Sequence, residues 1–269
     1  MRYLISVFLT FSVLAGCSSE QPVEATSEAP ETMQTIEPSA IDEASDDSGL
    51  YVEYVWHKEG ENFSQEALME KVILWNQMID AGEYKINRAN LLFPRQETED
   101  YDFVWVMLWP SVEARNAGWA YWAANDEAKW AEATAGVLSY REEDAFLFGL
   151  SRERNATIPN MTSVYENQFS FCFYNEGKGD ADFAAFQTAH TEFVSAYETE
   201  KGPSSYAYAL LTPTFETEQT PDFVWLDLWA SAEEKADGLA YFEGSELQTQ
   251  LGDMATCNLL GFEGLNIRS

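Results

Sequence analysis

"DFVWVMLWPSVEARNAGWAYW", Asp102 to Trp122, recurs 120 positions later as "DFVWLDLWASAEEKADGLAYF", Asp222 to Phe242. The two stretches share 11 of 21 residues without a gap, and most of the differences keep size or charge. Such a match is a duplication and not a by-product of composition. Upstream, "LLFPRQETE" (Leu91 to Glu99) answers "LLTPTFETE" (Leu210 to Glu218), and "YVWHKEG" (Tyr54 to Gly60) answers "FCFYNEG" (Phe171 to Gly177) more weakly. Two copies of domain size in the same order make a tandem domain, not a solenoid.

Each copy predicts the same series of elements. In the first, Tyr51 to His57 alternates like a strand, and Ser64 opens a segment whose apolar residues Leu68, Val72, Trp75 and Ile79 have helical spacing. Ile86 to Phe93 and the aromatic, β-branched run Phe103 to Trp109 read as strands. Ser111 caps a helix reaching about Ala135, and Ala145 to Leu150 is a last short strand. The second copy gives Phe169 to Tyr174, Asp182 to Thr199, Ser205 to Leu211, Phe223 to Trp229, Ser231 to about Met254, and Cys257 to Phe262. Ser231 and Glu234 have the spacing of a capping box.

The expected fold is therefore α+β, with two tandem ferredoxin-like βαββαβ units at residues 51–155 and 165–265. One such unit leaves a sheet face bare, and packing two units sheet to sheet covers both. Over about residues 51–265 this order resembles the dimeric α/β-barrel superfamily, which includes antibiotic-biosynthesis monooxygenases, NIPSNAP-type proteins and stress-responsive barrel proteins. The phrases "LWPSVEAR" and "LWASAEEK" carry most of the likeness. Those families usually build the barrel from two chains. The resemblance implies that this chain holds both halves and that its folded part is a monomeric pseudo-dimer.

Alternation along the third strand puts Val104, Val106 and Leu108 on one side and Phe103, Trp105, Met107 and Trp109 on the other. The second copy sets Val224, Leu226 and Leu228 against Phe223, Trp225, Asp227 and Trp229. Both faces are apolar, so both are expected to be buried, the aliphatic side under the helices and the aromatic side toward the opposing sheet. Asp227 replaces Met107 between two tryptophans, where an unpaired carboxylate is costly and has a raised pKa. It is a candidate acid or base, or the polar anchor of a ligand pocket formed with Trp105, Trp109, Trp225 and Trp229. The bland alternative is a carboxylate that finds a donor or reaches the rim.

His190 takes the place of Val72 in the stripe Phe186, His190, Phe193, Tyr197. Members of the superfamily that bind substrate or haem commonly do so between helices and sheet, so the resemblance places His190 near such a cavity, as a base or an axial ligand. A satisfied core histidine is the plainer reading. His57, aligned with Tyr174, is expected at the rim. Only two histidines exist and no metal-ligand spacing occurs, so no metal site is expected. No P-loop, G-x-G-x-x-G or G-x-S-x-G motif is present.

Composition bounds the partners. Asp and Glu number 46 against 15 Lys and Arg, a formal charge of −31. Such a surface repels nucleic acid and anionic membranes, and a site for cations is the sharper alternative to a merely solvated face. At the start, a short basic Met1-Arg2-Tyr3, an apolar Leu4 to Val13 and then Leu14-Ala15-Gly16-Cys17 form a signal of residues 1–16. The tetrad resembles the lipobox of bacterial lipoproteins, which implies lipidation of Cys17 and membrane attachment through it. Ser18 after the cysteine suggests the outer membrane.

Residues 17–50 read as lipidated cysteine plus disordered linker. The segment holds nine acids, no Lys or Arg and no aromatic residue. As a flexible chain it reaches roughly 30 Å. Cys172 and Cys257 fall on strands that a ferredoxin-like sheet makes neighbours, in an oxidising compartment, and are a possible disulfide. The function expected is an envelope lipoprotein binding a small apolar or aromatic ligand. The alternatives are a monooxygenase- or haem-related enzyme using His190 or Asp227, and a structural protein with a packed barrel.

Overall fold

The computed structural model describes residues 50–160, 162–216 and 220–269. The leader, Cys17 and nearly all of the acidic segment lie outside the described residues. The first half comprises β1 (Leu50–Glu59), α1 (Gln65–Ala81), β2 (Arg88–Pro94), β3 (Phe103–Trp109), α2 (Val112–Asn125), α3 (Glu127–Thr134) and β4 (Leu138–Arg154). The second comprises β5 (Val164–Tyr174), α4 (Asp180–Lys201), β6 (Ala207–Pro213), β7 (Phe223–Trp229), α5 (Ala232–Phe242), α6 (Glu246–Met254) and β8 (Ala255–Arg268).

Serine starts four of the six helices, because its hydroxyl accepts one of the amide protons that the first turn leaves free. Ser64, Ser111, Ser231 and Ser245 cap α1, α2, α5 and α6 in this way. The single long helix expected in each copy is in fact two. Asp126 breaks the first, receiving the Tyr84 hydroxyl and facing Lys129. Gly244, at φ 73°, turns the chain between α5 and α6 in a conformation that a side chain would strain.

The eight strands close into one antiparallel barrel in the order β1-β3-β2-β8-β5-β7-β6-β4. Each half supplies a four-stranded sheet, and the sheets join edge to edge. Leu91 pairs with Leu265 at one seam, and Leu150 with Leu211 at the other. The packing is thus more than the sheet-to-sheet contact expected, because every edge is hydrogen-bonded and none is left open. Closure explains why β4 and β8 run far beyond the short strands expected: each pairs with its own half and with the other. The charged run Arg141 to Asp144 hid the start of β4, being partly exposed beyond its apolar part.

The faces of β3 and β7 are the reverse of those expected. Val104, Val106, Val224 and Leu226 point into the barrel, and Trp105, Trp109, Trp225 and Trp229 lie under the helices. The interior of an eight-stranded barrel is just wide enough for its side chains. Here Tyr54 meets Phe148 and Phe169 edge to face, and Phe169 meets Phe262, so the central strands have room only for short residues. At Gly264 a Cβ would overlap the Tyr165 ring, which fixes glycine at that contact. The barrel interior is packed core, and space for a ligand lies elsewhere.

Candidate functional site

Between helices and sheet the halves differ. Under α1, α2 and α3 the space is filled, leaving a void of about 50 Å³. Under α4, α5 and α6 a cavity of about 570 Å³ opens, within the range of small-molecule sites. Aligned residues explain the difference. Trp75, Trp119 and Trp122 of the first half correspond to Phe193, Leu239 and Phe242, and Trp130 has no aromatic counterpart in α6.

The first half also seals its space with a buried ion pair. Glu53, fully buried on β1, accepts hydrogen bonds from Trp109 Nε1 at 3.0 Å, Trp119 Nε1 at 3.0 Å and Arg115 Nε at 2.8 Å. Strand register puts Gln168 where Glu53 stands, since Glu53 faces Met107 and Gln168 faces Asp227. At this level of the sheet the second half therefore carries its acid on β7, as Asp227, instead of on β5. Arg115 corresponds to Lys235, whose Nζ donates to the Asn167 carbonyl at 3.1 Å and lies 5.5 Å above the Trp229 ring. Trp105 and Trp109, expected to bind ligand together with Trp225 and Trp229, line the small void of the first half and not the open cavity. Trp225 and Trp229 do line it.

The same register corrects the place of His57. It corresponds to Cys172, not Tyr174, because His57 pairs with Phe103 and Cys172 with Phe223. His57 is not at the rim. It is buried, stacked on Phe103 with ring centroids 5.0 Å apart, and bonded through Nδ1 to the Val55 carbonyl at 2.9 Å. Burial pushes its pKa down to about 4 against the weaker pull of that carbonyl, so it is neutral.

His190 and Asp227 are brought together by Tyr206, which lies just before β6. Tyr206 Oη donates to Asp227 Oδ1 at 2.6 Å and sits 3.1 Å from His190 Nε2. Trp225 Nε1 donates to the same carboxylate oxygen at 2.7 Å. None of the described residues bonds Oδ2, and Asp227 forms part of the cavity wall. Burial raises the Asp227 carboxyl to about 6, with the Tyr206 and Trp225 bonds and the Lys235 charge pulling the other way. A carboxyl of this kind changes its charge near neutral pH.

Burial, with the nearby Arg154 cation, pushes His190 down to about 4. Arg154 is itself tied to Glu198 at 2.7 Å. Glu198 is held at about 2: burial raises it, but bonds from Thr157, Ser204 and Arg154 outweigh that. This cluster anchors the loop that carries Tyr206. Among the described residues no group of three His, Cys, Asp or Glu is placed to hold a metal ion.

Cys172 and Cys257 pair directly across β5 and β8 and are joined by a disulfide with Cα atoms 4.1 Å apart. Cys172 also lines the cavity.

Tyr206 was missed from the sequence although a signal existed. It lies two residues before Tyr208, which pairs with Asp227, and so shares its face. Glu53 and Arg115 gave no comparable sign, because their partners come from different elements.

No family model matches the chain, and no curated protein matches it in sequence. Among solved structures, a protein provisionally named a chlorite dismutase matches 82% of this chain and 96% of its own, with a TM-score of 0.50 and 7% identity. A protein from Fusobacterium nucleatum provisionally named a monooxygenase matches 81% and 93%, with a TM-score of 0.51 and 10% identity. A double mutant of the chlorite dismutase from Candidatus Nitrospira defluvii matches 82% and 93%, with a TM-score of 0.50 and 8% identity. The fold is thus that of the dimeric α/β barrels, here closed within one chain.

Proposed function

We propose that this chain is a bacterial envelope lipoprotein, anchored through Cys17 at the outer membrane and facing the periplasm, whose fused duplicate halves have divided their tasks. The first half is structural, and the second binds a small, largely apolar ligand between its helices and sheet. The observation that carries this reading is the contrast between a 50 Å³ void and a 570 Å³ cavity at equivalent places. A neutral aromatic probe, N-phenyl-1-naphthylamine, is expected to bind saturably to the unlipidated protein. Binding is expected to vanish in Leu239→Trp/Phe242→Trp, which restores the first half's filling. Failure of the probe and of a ligand screen to bind the folded wild type overturns the reading.

A second reading is an enzyme that moves a proton on the bound ligand, in line with the monooxygenase name of one similar structure. It is favoured by a carboxyl poised at about 6 on the cavity wall. Haem, the other possibility that the superfamily raises, does not fit these residues. His190 Nε2 is engaged by Tyr206, and Nδ1 is buried against protein. Among the described residues the lining includes Asp227, Glu234 and Glu243 but no lysine or arginine to meet two propionates.

A further inference from the structure

The cavity has a sign as well as a size. Among the described residues its lining includes three acidic side chains and no Lys or Arg, and the one basic side chain, His190, is neutral by burial. Of the three acids, Glu234 is committed to the fold: it accepts from the Ser205 amide at 2.6 Å and from the Ser205 hydroxyl. Glu243 stands exposed at the edge. Asp227 is the acid within the pocket, with one oxygen fully used and the other unpaired by the described residues.

Lys235, whose charge favours the ionised Asp227, forms its own contacts elsewhere. That side chain is directed to the Asn167 carbonyl and lies 3.9 Å from Glu166. The apolar part of the space is aromatic, with Phe186, Phe193, Phe242 and Trp229 on its walls. Aromatic faces attract cations, and do so more strongly where water is excluded.

We infer that the second-half cavity takes an organic cation, an ammonium or amidinium carried on an aromatic or apolar body, with its charge at Asp227 Oδ2. The inference rests on the ligand-binding reading above and adds the charge of the ligand to it. The surplus of acidic over basic residues, 46 to 15, would raise the local concentration of such a ligand. A carboxyl that burial holds near its titration point becomes fully ionised when a cation arrives, so binding and ionisation reinforce each other.

The test compares three probes of similar shape on the unlipidated full folded part at pH 7.5: phenyltrimethylammonium, its neutral isostere tert-butylbenzene, and benzenesulfonate. Phenyltrimethylammonium is expected to bind at least tenfold more tightly than tert-butylbenzene, with benzenesulfonate weakest. In Asp227→Asn, and in Asp227→Met, which copies Met107, the preference for the cation should shrink to less than threefold while tert-butylbenzene still binds. Circular dichroism and thermal melting identify which of the two variants is folded and so fit for the comparison. Equal binding of cation and neutral isostere by wild type overturns the inference but leaves the ligand-binding reading standing. So does a cation preference that survives both substitutions. If no probe binds, N-phenyl-1-naphthylamine included, both fall.

Discussion

Tyr206 donates its single phenolic proton to Asp227 at 2.6 Å, and this bond dictates the tautomer of His190. A phenol with its proton committed can only accept from His190, so Nε2 carries the histidine's proton and Nδ1 is a bare acceptor. Among the described residues Nδ1 is buried without a partner, as is Arg154 Nε. Such unpartnered polar atoms are a local cost that the Arg154–Glu198 pair and the aromatic packing of His190 must offset.

Tyr206→Phe removes a donor that favours the charged carboxylate. The Asp227 carboxyl should therefore titrate above its value of about 6 in the variant. Carbon-13 NMR of labelled aspartate, with Asp227→Asn to assign the resonance, reads the change. An unchanged or lower titration point would show that Tyr206 does not stabilise the ionised form.

Acid sensitivity should come in part from His57. Its folded pKa, about 4, lies below the unfolded value of 6.5, so the unfolded chain binds the extra proton between those limits. The stability this neutral group contributes is complete above pH 6.5 and is lost as pH falls toward 4, by roughly 3 kcal/mol. His190 acts with the same sign, whereas Asp227, raised from 3.8 to about 6, acts with the opposite sign as pH falls through that window. His57→Phe isolates one contribution. Between pH 7 and pH 4.5 the variant should lose about 2–3 kcal/mol less than wild type in urea unfolding.

Glu53→Gln should be among the most damaging single changes in the first half. It strips the charge from a fully buried carboxylate that Arg115, Trp109 and Trp119 all address. Breaking a buried pair from one side costs about 3–5 kcal/mol, read as a lower urea midpoint with an unchanged slope. Binding of N-phenyl-1-naphthylamine at the other half should be unaffected in the folded fraction.

The disulfide closes a loop of 85 residues, for which chain entropy predicts about 4–5 kcal/mol. Unreduced protein that begins after Cys17 should titrate no thiol, and two should appear on reduction together with a lower melting temperature. Two free thiols before reduction would disprove the bridge.

Haem titration should give no Soret band characteristic of histidine ligation, and His190→Ala should leave the spectrum unchanged. A ligated band in wild type that the substitution abolishes would show that Tyr206 yields its place on Nε2 to iron.

Much of this architecture was legible because periodicity reports local geometry. The stripe Leu68, Val72, Trp75, Ile79 is buried as its spacing requires, and the runs Phe103–Trp109 and Phe223–Trp229 are strands with the expected bounds. Which face of those strands met the helices was not legible. Both faces are apolar, and the answer depends on Tyr54, Phe148 and Phe169 reaching the barrel interior from other strands. For the site, Asp227 stood out as a carboxylate among tryptophans and His190 as a histidine in an apolar stripe. Their connection through Tyr206, and the emptiness beside them, depend on α4, β6 and β7 meeting in space.

Covalent continuity between the halves also changes what substitutions are open to the molecule. In a barrel made of two identical chains, exchanging a tryptophan for leucine hollows both helix layers at once, and placing a carboxylate on a central strand buries two charges. Here Trp119 and Met107 keep one layer filled while Leu239 and Asp227 open and polarise the other. On the proposed ligand-binding reading, a single chain can thus keep one side filled and let the other drift toward recognition, a freedom that a strict two-fold axis denies.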